Sequence, residues 1–414
     1  MSKPHLIVIG GGAAGFFCAV NAARLAPGLQ VTLLEKTGKL LQKVKVSGGG
    51  RCNLTHQGLS ISQMSACYPR GEAFVKKAFH RFFVPHTLQW FALRGVDAHT
   101  EADGRMFPVT NSSQTIIDCL VAEANQYGVK ILLHAGVEGI GPVEKGWQVQ
   151  LADQPPLSAA YVCVACGGMP RTEQWQWLLK ATGHTLIEPL PSLFTFNLPG
   201  HNITSLMGVS VRLVRIKLAG TKLESQGPLL ITHWGLSGPA VLRLSAFGAR
   251  TLAQMNYTYT VVVNWLPAFN ETSLRQHMQQ HRTLKPNQKL LNTDWVTLPE
   301  RLWAFLLQEA GIDGQVRWAN LPAAAQNKLA TCLCSYTLAA HGKTTFKEEF
   351  VTCGGIDTAE VEPHTMQSRR CRGLYFAGEV LNVDGITGGF NFQHAWTSGY
   401  LAAEHIAAQA GTLV

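Results

Sequence analysis

The residues best suited to chemistry in this 414-residue chain are glycines and acids near its two ends. Gly10-x-Gly12-x-x-Gly15 follows an apolar run at 5–9 and opens an alanine-rich stretch that Pro27-Gly28 stops. Gly10 permits a tight turn, Gly12 lets a pyrophosphate approach the backbone, and Gly15 lets a helix pack on a strand. The helix that must follow presents free N–H groups and the positive end of its dipole to that anion. Residues 30–34 read as a second buried strand ending on Glu35, 20 residues beyond Gly15. A carboxylate there accepts ribose hydroxyls and repels a 2′-phosphate. Strand, glycine loop, helix, strand and acid are in register, so the segment is expected to bind a dinucleotide.

The far end of the chain separates FAD from NAD. Residues 373–379 (GLYFAGE) have the form of a buried strand that ends on Gly378-Glu379. Residues 384–393 (DGITGGFNFQ) then lead to a helix expected from His394 to about Gln409. Glycines before a helix N-terminus again offer N–H groups to an anion, here the pyrimidine edge of a flavin, which is negative once reduced. A second cofactor contact at the C-terminus implies FAD. A second strand–GxGxxG–helix unit is missing from the sequence, so NAD(P)H is expected only as a transient electron donor.

Other chemical candidates are few. Lys43 and Arg51 flank a glycine run, Ser47 to Gly50, and either can steady a reduced flavin or an anionic substrate. Cys52 follows and reads as packing rather than as a redox thiol. Cys163-x-x-Cys166 lies in a β-like run that points its two thiols to different faces, against a redox pair. His233 and Ser237 lie in THWGLSGP. This is not a GxSxG elbow, so a hydrolase is rejected; Ser237 reads as an N-cap and His233 as a candidate proton donor. His394 is expected to open the last helix, with its pKa lowered by the dipole. The histidines and cysteines lack metal-ligand spacing, so no metal is expected.

These groups need a core to hold them, and the composition provides one: 46% of residues are hydrophobic and 15% charged, which excludes wholesale disorder. The net charge is +9, yet Lys and Arg are dispersed. The reading is therefore surface charge plus an anionic cofactor and a small-molecule substrate, against nucleic acid. No run reaches the length of a membrane span, and 6–9 is too short for a signal h-region, so a cytoplasmic location is expected. An aromatic stripe over 70–95 reads as helical core. Val209, Val211 and Leu213 alternate, then Val214, Ile216 and Leu218 alternate out of phase, which predicts a bulge. Residues 271–333 read as helical.

The fold class expected is α/β. A Rossmann-like, two-dinucleotide FAD domain comes from 1–190 and 340–414. Inserted into it are a β-barrel-like part, 191–270 completed by about 325–340, and a helical part, 271–324.

The sequence also resembles the bacterial BaiN/RdsA-like NAD(P)/FAD-dependent flavoproteins, also called aminoacetone-oxidase-like. The resemblance runs through VIGGGAAG (8–15), LLEKTGKLLQKVKVSGGGRCNLT (33–55), ADGRMFP (102–108), ACGGMP (165–170), THWGLSGPAVLRLS (232–245), VTCGGIDTAEVEPHTMQS (351–368) and the segment 373–402. Asn382 stands where Asp is expected in many relatives, and YPRGEAF (68–74) reads as subfamily-specific. The resemblance implies FAD bound by Gly10, Gly12, Ala13, Ala14 and Gly15 at the pyrophosphate, and by Glu35 and Lys36 at the adenosine ribose. It places Lys43, Ser47, Gly49, Arg51, Cys52 and Asn53 beside the flavin, and Val137 at adenine. Ala165 and Gly167 join the cofactor contacts, Gly378 and Glu379 the ribityl strand, and Gly389, Asn391 and Phe392 the pyrimidine edge. Arg51 and His233 are the catalytic candidates. The implied activity is hydride transfer through flavin N5, with NAD(P)H-linked reduction of a small organic substrate. The alternatives are an oxygen-using amine oxidase and an RNA-binding or tRNA-modifying flavoprotein.

Overall fold

Leu6 to Ile9 are buried in strand β1 (His5–Ile9), as a central parallel strand covered on both faces requires. The computed structural model of the chain describes residues 3–344 and 351–411. Helix α1 (Ala13–Leu25) follows, and β2 (Gln30–Leu34) returns parallel to β1 with Leu34 beside Ile9. Next come α2 (Gln42–Gly50), α3 (Val84–Ala92), α4 (Ser113–Gln126), β3 (Lys130–Leu132), β4 (Tyr161–Val164), β5 (Leu374–Phe376) and α5 (Phe390–Gly411). The strands lie in the order β5-β4-β1-β2-β3, and each pairing is parallel. Parallel strands send their following loops to one edge, where ligands of such sheets bind. Both ends of the chain therefore deliver their glycine loops to that edge.

The chain divides into two compact units, Met1–Ser192 with Phe346–Val414, and Leu193–Thr345. In the first, α5 is mostly buried, an apolar helix with small residues on the side that meets α1. Trp396 closes that contact. Its ring packs 5.2 Å from Phe17 and 5.6 Å from Phe91, and its indole N–H donates to the Leu54 carbonyl at 3.0 Å. The aromatic stripe over 70–95 supplies core residues, but as two helices, Glu72–Phe79 and α3. Pro85 stands in the first turn of α3, the one place in a helix where its missing N–H is harmless.

The second unit is an antiparallel sheet of seven strands among the described residues, with the helices Glu271–Leu284, Glu300–Glu309 and Ala323–Cys334. Sheet and helices share one apolar cluster that includes Trp265, Trp303 and Trp318. The bulge is present: the strand Ser210–Leu218 shifts register between Val211 and Val214, leaving Leu213 51% exposed and Val214 buried. Ser237 does not cap the following helix. It ends a strand, and Gly238 occupies the N-cap without a side-chain bond, because Pro239 already removes one of the N–H groups a cap would satisfy.

Removing the Trp396 ring leaves a cavity between α1 and α5 and an orphaned Leu54 carbonyl. Trp396→Ala is expected to cost about 3–5 kcal/mol, read as a lowered urea midpoint of the flavin-free protein. A midpoint within a few tenths of a kcal/mol of wild type would refute the packing role.

Candidate cofactor site

The glycine loop is anchored where Gly10 N–H donates to the Leu34 carbonyl at 2.8 Å. A Cβ on Gly15 would overlap the Gly10 carbonyl oxygen, so the first turn of α1 can sit this close to β1 only with glycine there. Gly12 differs: a Cβ built on it meets no atom within 4 Å, and the space above it is open to a ligand. Glu35 reaches back over the loop. Its Oε2 accepts from Gly11 N–H at 3.0 Å, and its Oε1 from the Thr37 N–H and hydroxyl, both at 2.8 Å. A carboxylate oxygen accepts two bonds, so Oε2 keeps a lone pair for a ribose hydroxyl. Lys36 is exposed beside it.

Helix α2 begins against the same loop, with Leu41 N–H donating to the Gly11 carbonyl at 2.9 Å. It loses helical geometry at Ser47 (ψ 147°), and the chain turns through Gly48 and Gly49 at positive φ before burying Cys52. Burial pushes the Cys52 thiol up to about 12, so it stays protonated and poorly nucleophilic. Arg51 lies 4.0 Å over the Phe107 ring and pairs with Glu101 at 2.7 Å. Glu101 also pairs with Arg105, which pairs with Asp103, so the four charges cancel.

From the other end of the chain, Glu379 joins this edge. It accepts from the Lys43 ammonium at 2.5 Å and from Thr352 N–H at 2.8 Å. The peptide of Gly378 is held on both sides by α5. Its N–H donates to the Ser398 hydroxyl at 2.8 Å, and its carbonyl lies 3.3 Å from His394 Nε2. His394 Nδ1 is buried with no partner among the described residues. Helix α5 starts at Phe390, four residues before the expected start at His394. Asn391 and Phe392 are therefore in its first turn instead of the loop. Asn391 pins the loop by bonding both the N–H and carbonyl of Gly385, at 2.8 and 3.0 Å. His394 sits a full turn inside the helix, and its pKa is lowered to about 4 chiefly by burial, where the sequence suggested the dipole.

Several supports escaped the sequence. Asp384 is wholly buried and forms a two-pronged pair with Arg70, with the Ser192 hydroxyl donating to it at 2.7 Å. Burial pushes the Asp384 carboxyl up, against the pull of Arg70 and Ser192. The Tyr68 hydroxyl donates to the Phe390 carbonyl at 2.6 Å. The YPRGEAF segment thus braces the C-terminal glycine loop. An acid beside glycines signalled the need for a cation, but nothing in the spacing identified Arg70, 314 residues away.

Several of the expected residues meet in pairs: Glu35 bonds the Gly11 N–H, Lys43 meets Glu379, and Gly10 lies against Ala165 and Gly389 against Asn53. A Cβ on Gly10 would touch the Ala165 carbonyl, one on Gly378 the Ala14 methyl, and one on Gly389 the Thr55 carbonyl and Asn53. Val137 begins the strand Val137–Val143. His233 belongs to the second unit, exposed on the turn between Glu224–Thr232 and Gly235–Ser237, its ring against Trp234. Cys163 and Cys166 are both free thiols with raised pKa values. Among the described residues, no three His, Cys, Asp or Glu side chains gather as a metal site, and no helix is long and apolar enough to cross a membrane.

The open space above Gly12, the spare lone pair on Glu35 and the orphaned His394 Nδ1 suit a dinucleotide lying along this edge. The HI0933-like protein Rossmann domain matches residues 4–405. The chain belongs to the HI0933-like family. That family is one of flavin-dependent oxidoreductases on an FAD-binding Rossmann fold. The HI0933-like chain is 31% identical over 414 residues to a ribosomal RNA dihydrouridine synthase of Haemophilus influenzae, covering 97% of this chain and 98% of the relative. It is 30% identical over 404 residues to the 3-dehydro-bile acid delta(4,6)-reductase of Clostridium scindens, covering 95% and 97%. Its fold is similar to that of the 3-ketosteroid delta1-dehydrogenase of Sterolibacterium denitrificans, with a TM-score of 0.53 at 13% identity, over 99% of this chain and all of the other.

Two measurements test the supports. His394 is neutral in the fold, with its pKa lowered from 6.5 to about 4, so the unfolded chain binds its proton first as pH falls. Its stabilising contribution is whole above pH 6.5 and is lost between 6.5 and 4, about 3 kcal/mol in all. His394→Gln should flatten the pH dependence of the urea midpoint of flavin-free protein across that window; an unchanged slope sinks the assignment. Arg70→Ala should cost about 3–5 kcal/mol by leaving Asp384 uncompensated, and Arg70→Met with Asp384→Leu should recover most of it. Failure of the double replacement to recover stability would show that the pair is not the brace.

Proposed function

We propose that this protein binds FAD along the edge described and transfers hydride between the flavin and a carbon–carbon double bond conjugated to a carbonyl, with NAD(P)H as reductant. The observation that carries the reading is the convergence at one sheet edge of the Gly10–Gly15 loop, the Glu35 carboxylate and the Gly378-Glu379 stretch. The substrate class is supported by two relatives that share one reaction type. Dihydrouridine is uridine with its ring double bond, conjugated to a carbonyl, saturated. A delta-4,6 bond system in a 3-dehydro steroid is likewise conjugated to the 3-carbonyl.

In this reading the N–H groups of Gly12, Ala13 and Ala14, left outside the helical ladder, hold the pyrophosphate. Glu35 accepts a ribose hydroxyl through Oε2, and Lys36 and Val137 flank the adenosine. Lys43 and Glu379 hold the ribityl region, and Ser47, Gly49, Cys52 and Asn53 line the ring. Gly389, Asn391 and Phe392 set the helix N-terminus that faces the pyrimidine edge, braced by Arg70, Asp384 and Tyr68. Bound FAD supplies the hydride-transfer chemistry at N5. Arg51, already charge-balanced by Glu101, positions the flavin loop and meets an anionic substrate group, and His233 is the proposed proton donor. A second substrate reading, uridine presented within RNA, is supported by the 31% identity to a ribosomal RNA dihydrouridine synthase.

The first measurement is the visible spectrum during anaerobic titration with NADH and then NADPH. Bleaching by one nucleotide, followed by reoxidation with an enone or a uridine oligonucleotide, is expected. Bleaching by neither would overturn the reductase reading in favour of electrons arriving from an oxidised substrate. Glu35→Ala should lower flavin retention about tenfold, the weight of one charge-assisted hydrogen bond. His233→Ala should lower kcat/KM with the flavin spectrum intact.

A further inference from the structure

The first unit carries a second cavity, of about 780 Å³, at the end of α1 remote from the glycine loop. Arg24, which lines it, lies 12 residues beyond Gly12, or about 18 Å along the helix at 1.5 Å per residue. The remaining walls come from α3, α4 and α5 and from the link before α3 that carries Arg81 and Phe82. Ligands of parallel α/β sheets bind at the opposite edge, so this cavity is not part of the cofactor site.

Its charges do not balance. Arg94 pairs with Glu123 at 2.5 Å, both largely buried, and Arg81 pairs with Glu404 at 2.8 Å. Arg24 is the third guanidinium facing the cavity. Its Nη2 donates to the neutral Asn21 amide at 3.3 Å, and its Nε is shielded from solvent with no partner among the described residues. Three cations against two carboxylates leave one positive charge on the cavity wall, carried by Arg24. The lining also suits a flat ring bearing hydrogen-bonding edges. Phe82 is buried, its ring stacked at 4.3 Å on that of Tyr400, so the half-buried Tyr400 is the aromatic ring the lining offers. His86 Nδ1 accepts from Phe83 N–H at 3.0 Å, which leaves Nε2–H as the free donor of the neutral imidazole. Exposed Gln89 and Gln126 add amide donors and acceptors. A fatty carboxylate would need an apolar tunnel, whereas these exposed groups are amide, imidazole and guanidinium.

We propose that this cavity binds a phosphorylated nucleoside, with the phosphate on Arg24, the base against the Tyr400 ring, and its edge on His86 and the two glutamines. One residual positive charge matches the single charge of a phosphodiester better than the near-double charge of a terminal phosphate. The site does not depend on the reaction proposed above.

The test uses FAD-loaded protein, so that the cofactor site is filled, and fluorescence anisotropy of a labelled ten-residue oligoadenylate. That strand lacks uridine and is no substrate under either reading of the reaction. Binding is expected, with Arg24→Gln weaker by about tenfold and its log-affinity against log-salt slope smaller by about 0.7, one phosphate contact fewer. Competition by 5′-AMP at matching affinity identifies a free nucleotide as the ligand; binding of the strand without such competition identifies RNA. Should Arg24→Gln lose its flavin, exposed His86→Ala and Gln126→Ala carry the same readout. Failure of both strand and AMP to bind, or full affinity in all these variants, overturns the proposal.

Discussion

The peptide of Gly378 must lie between α1 and α5, and the first unit is arranged around that requirement. Its N–H and carbonyl are both held by the last helix, through Ser398 and His394, while its Cα faces the Ala14 methyl at the start of the first helix. Residues from opposite ends of the chain can both meet Gly378 only if the two helices approach closely, which Gly399 against the Ala14 carbonyl allows. Trp396, Phe17 and Phe91 then seal the contact, and the parallel sheet beneath directs both glycine loops to one edge.

Around that edge, side-chain charge is largely cancelled in place. Lys43 meets Glu379, Arg51 and Arg105 share Glu101 and Asp103, and Arg70 meets Asp384. What remains to act on a ligand is mostly backbone: N–H groups at two helix starts, fixed dipoles that need no reorganisation when an anion binds. The buried pair at Asp384 has a different task. Asp384, the first residue of the DGITGG loop, is 0% exposed and joins that loop to Arg70 of YPRGEAF. A pair of this kind adds little net stability over apolar replacements, so its value is in fixing where the loop sits.

This arrangement divides the labour of a flavoenzyme. In the proposed function the first unit holds the cofactor, whose chemistry is its own, and the relatives of this chain are named for substrates as unlike as a bile acid and ribosomal RNA. Selection among substrates must therefore reside in features outside the glycine loops. The second unit, with its exposed His233 turn, is one such feature.

The dinucleotide fold was readable from local pattern alone, because strand, glycine turn, helix and acid each announce themselves within a few residues. Gly12, Gly15 and Glu35 needed no tertiary information, and neither did the bulge before Val214, since a two-residue alternation that slips must change face. The start of α5 was misplaced by one turn because Asn391 reads as loop until its amide is seen bonding Gly385. The dipole account of His394 failed for a similar reason: burial among α1, Gly378 and α5 outweighs it, and burial is a property of the packed molecule. Arg70 with Asp384, and Arg24 without an acid, were likewise decided by tertiary structure. Charges attract through space, and partners separated by hundreds of residues leave no trace in spacing.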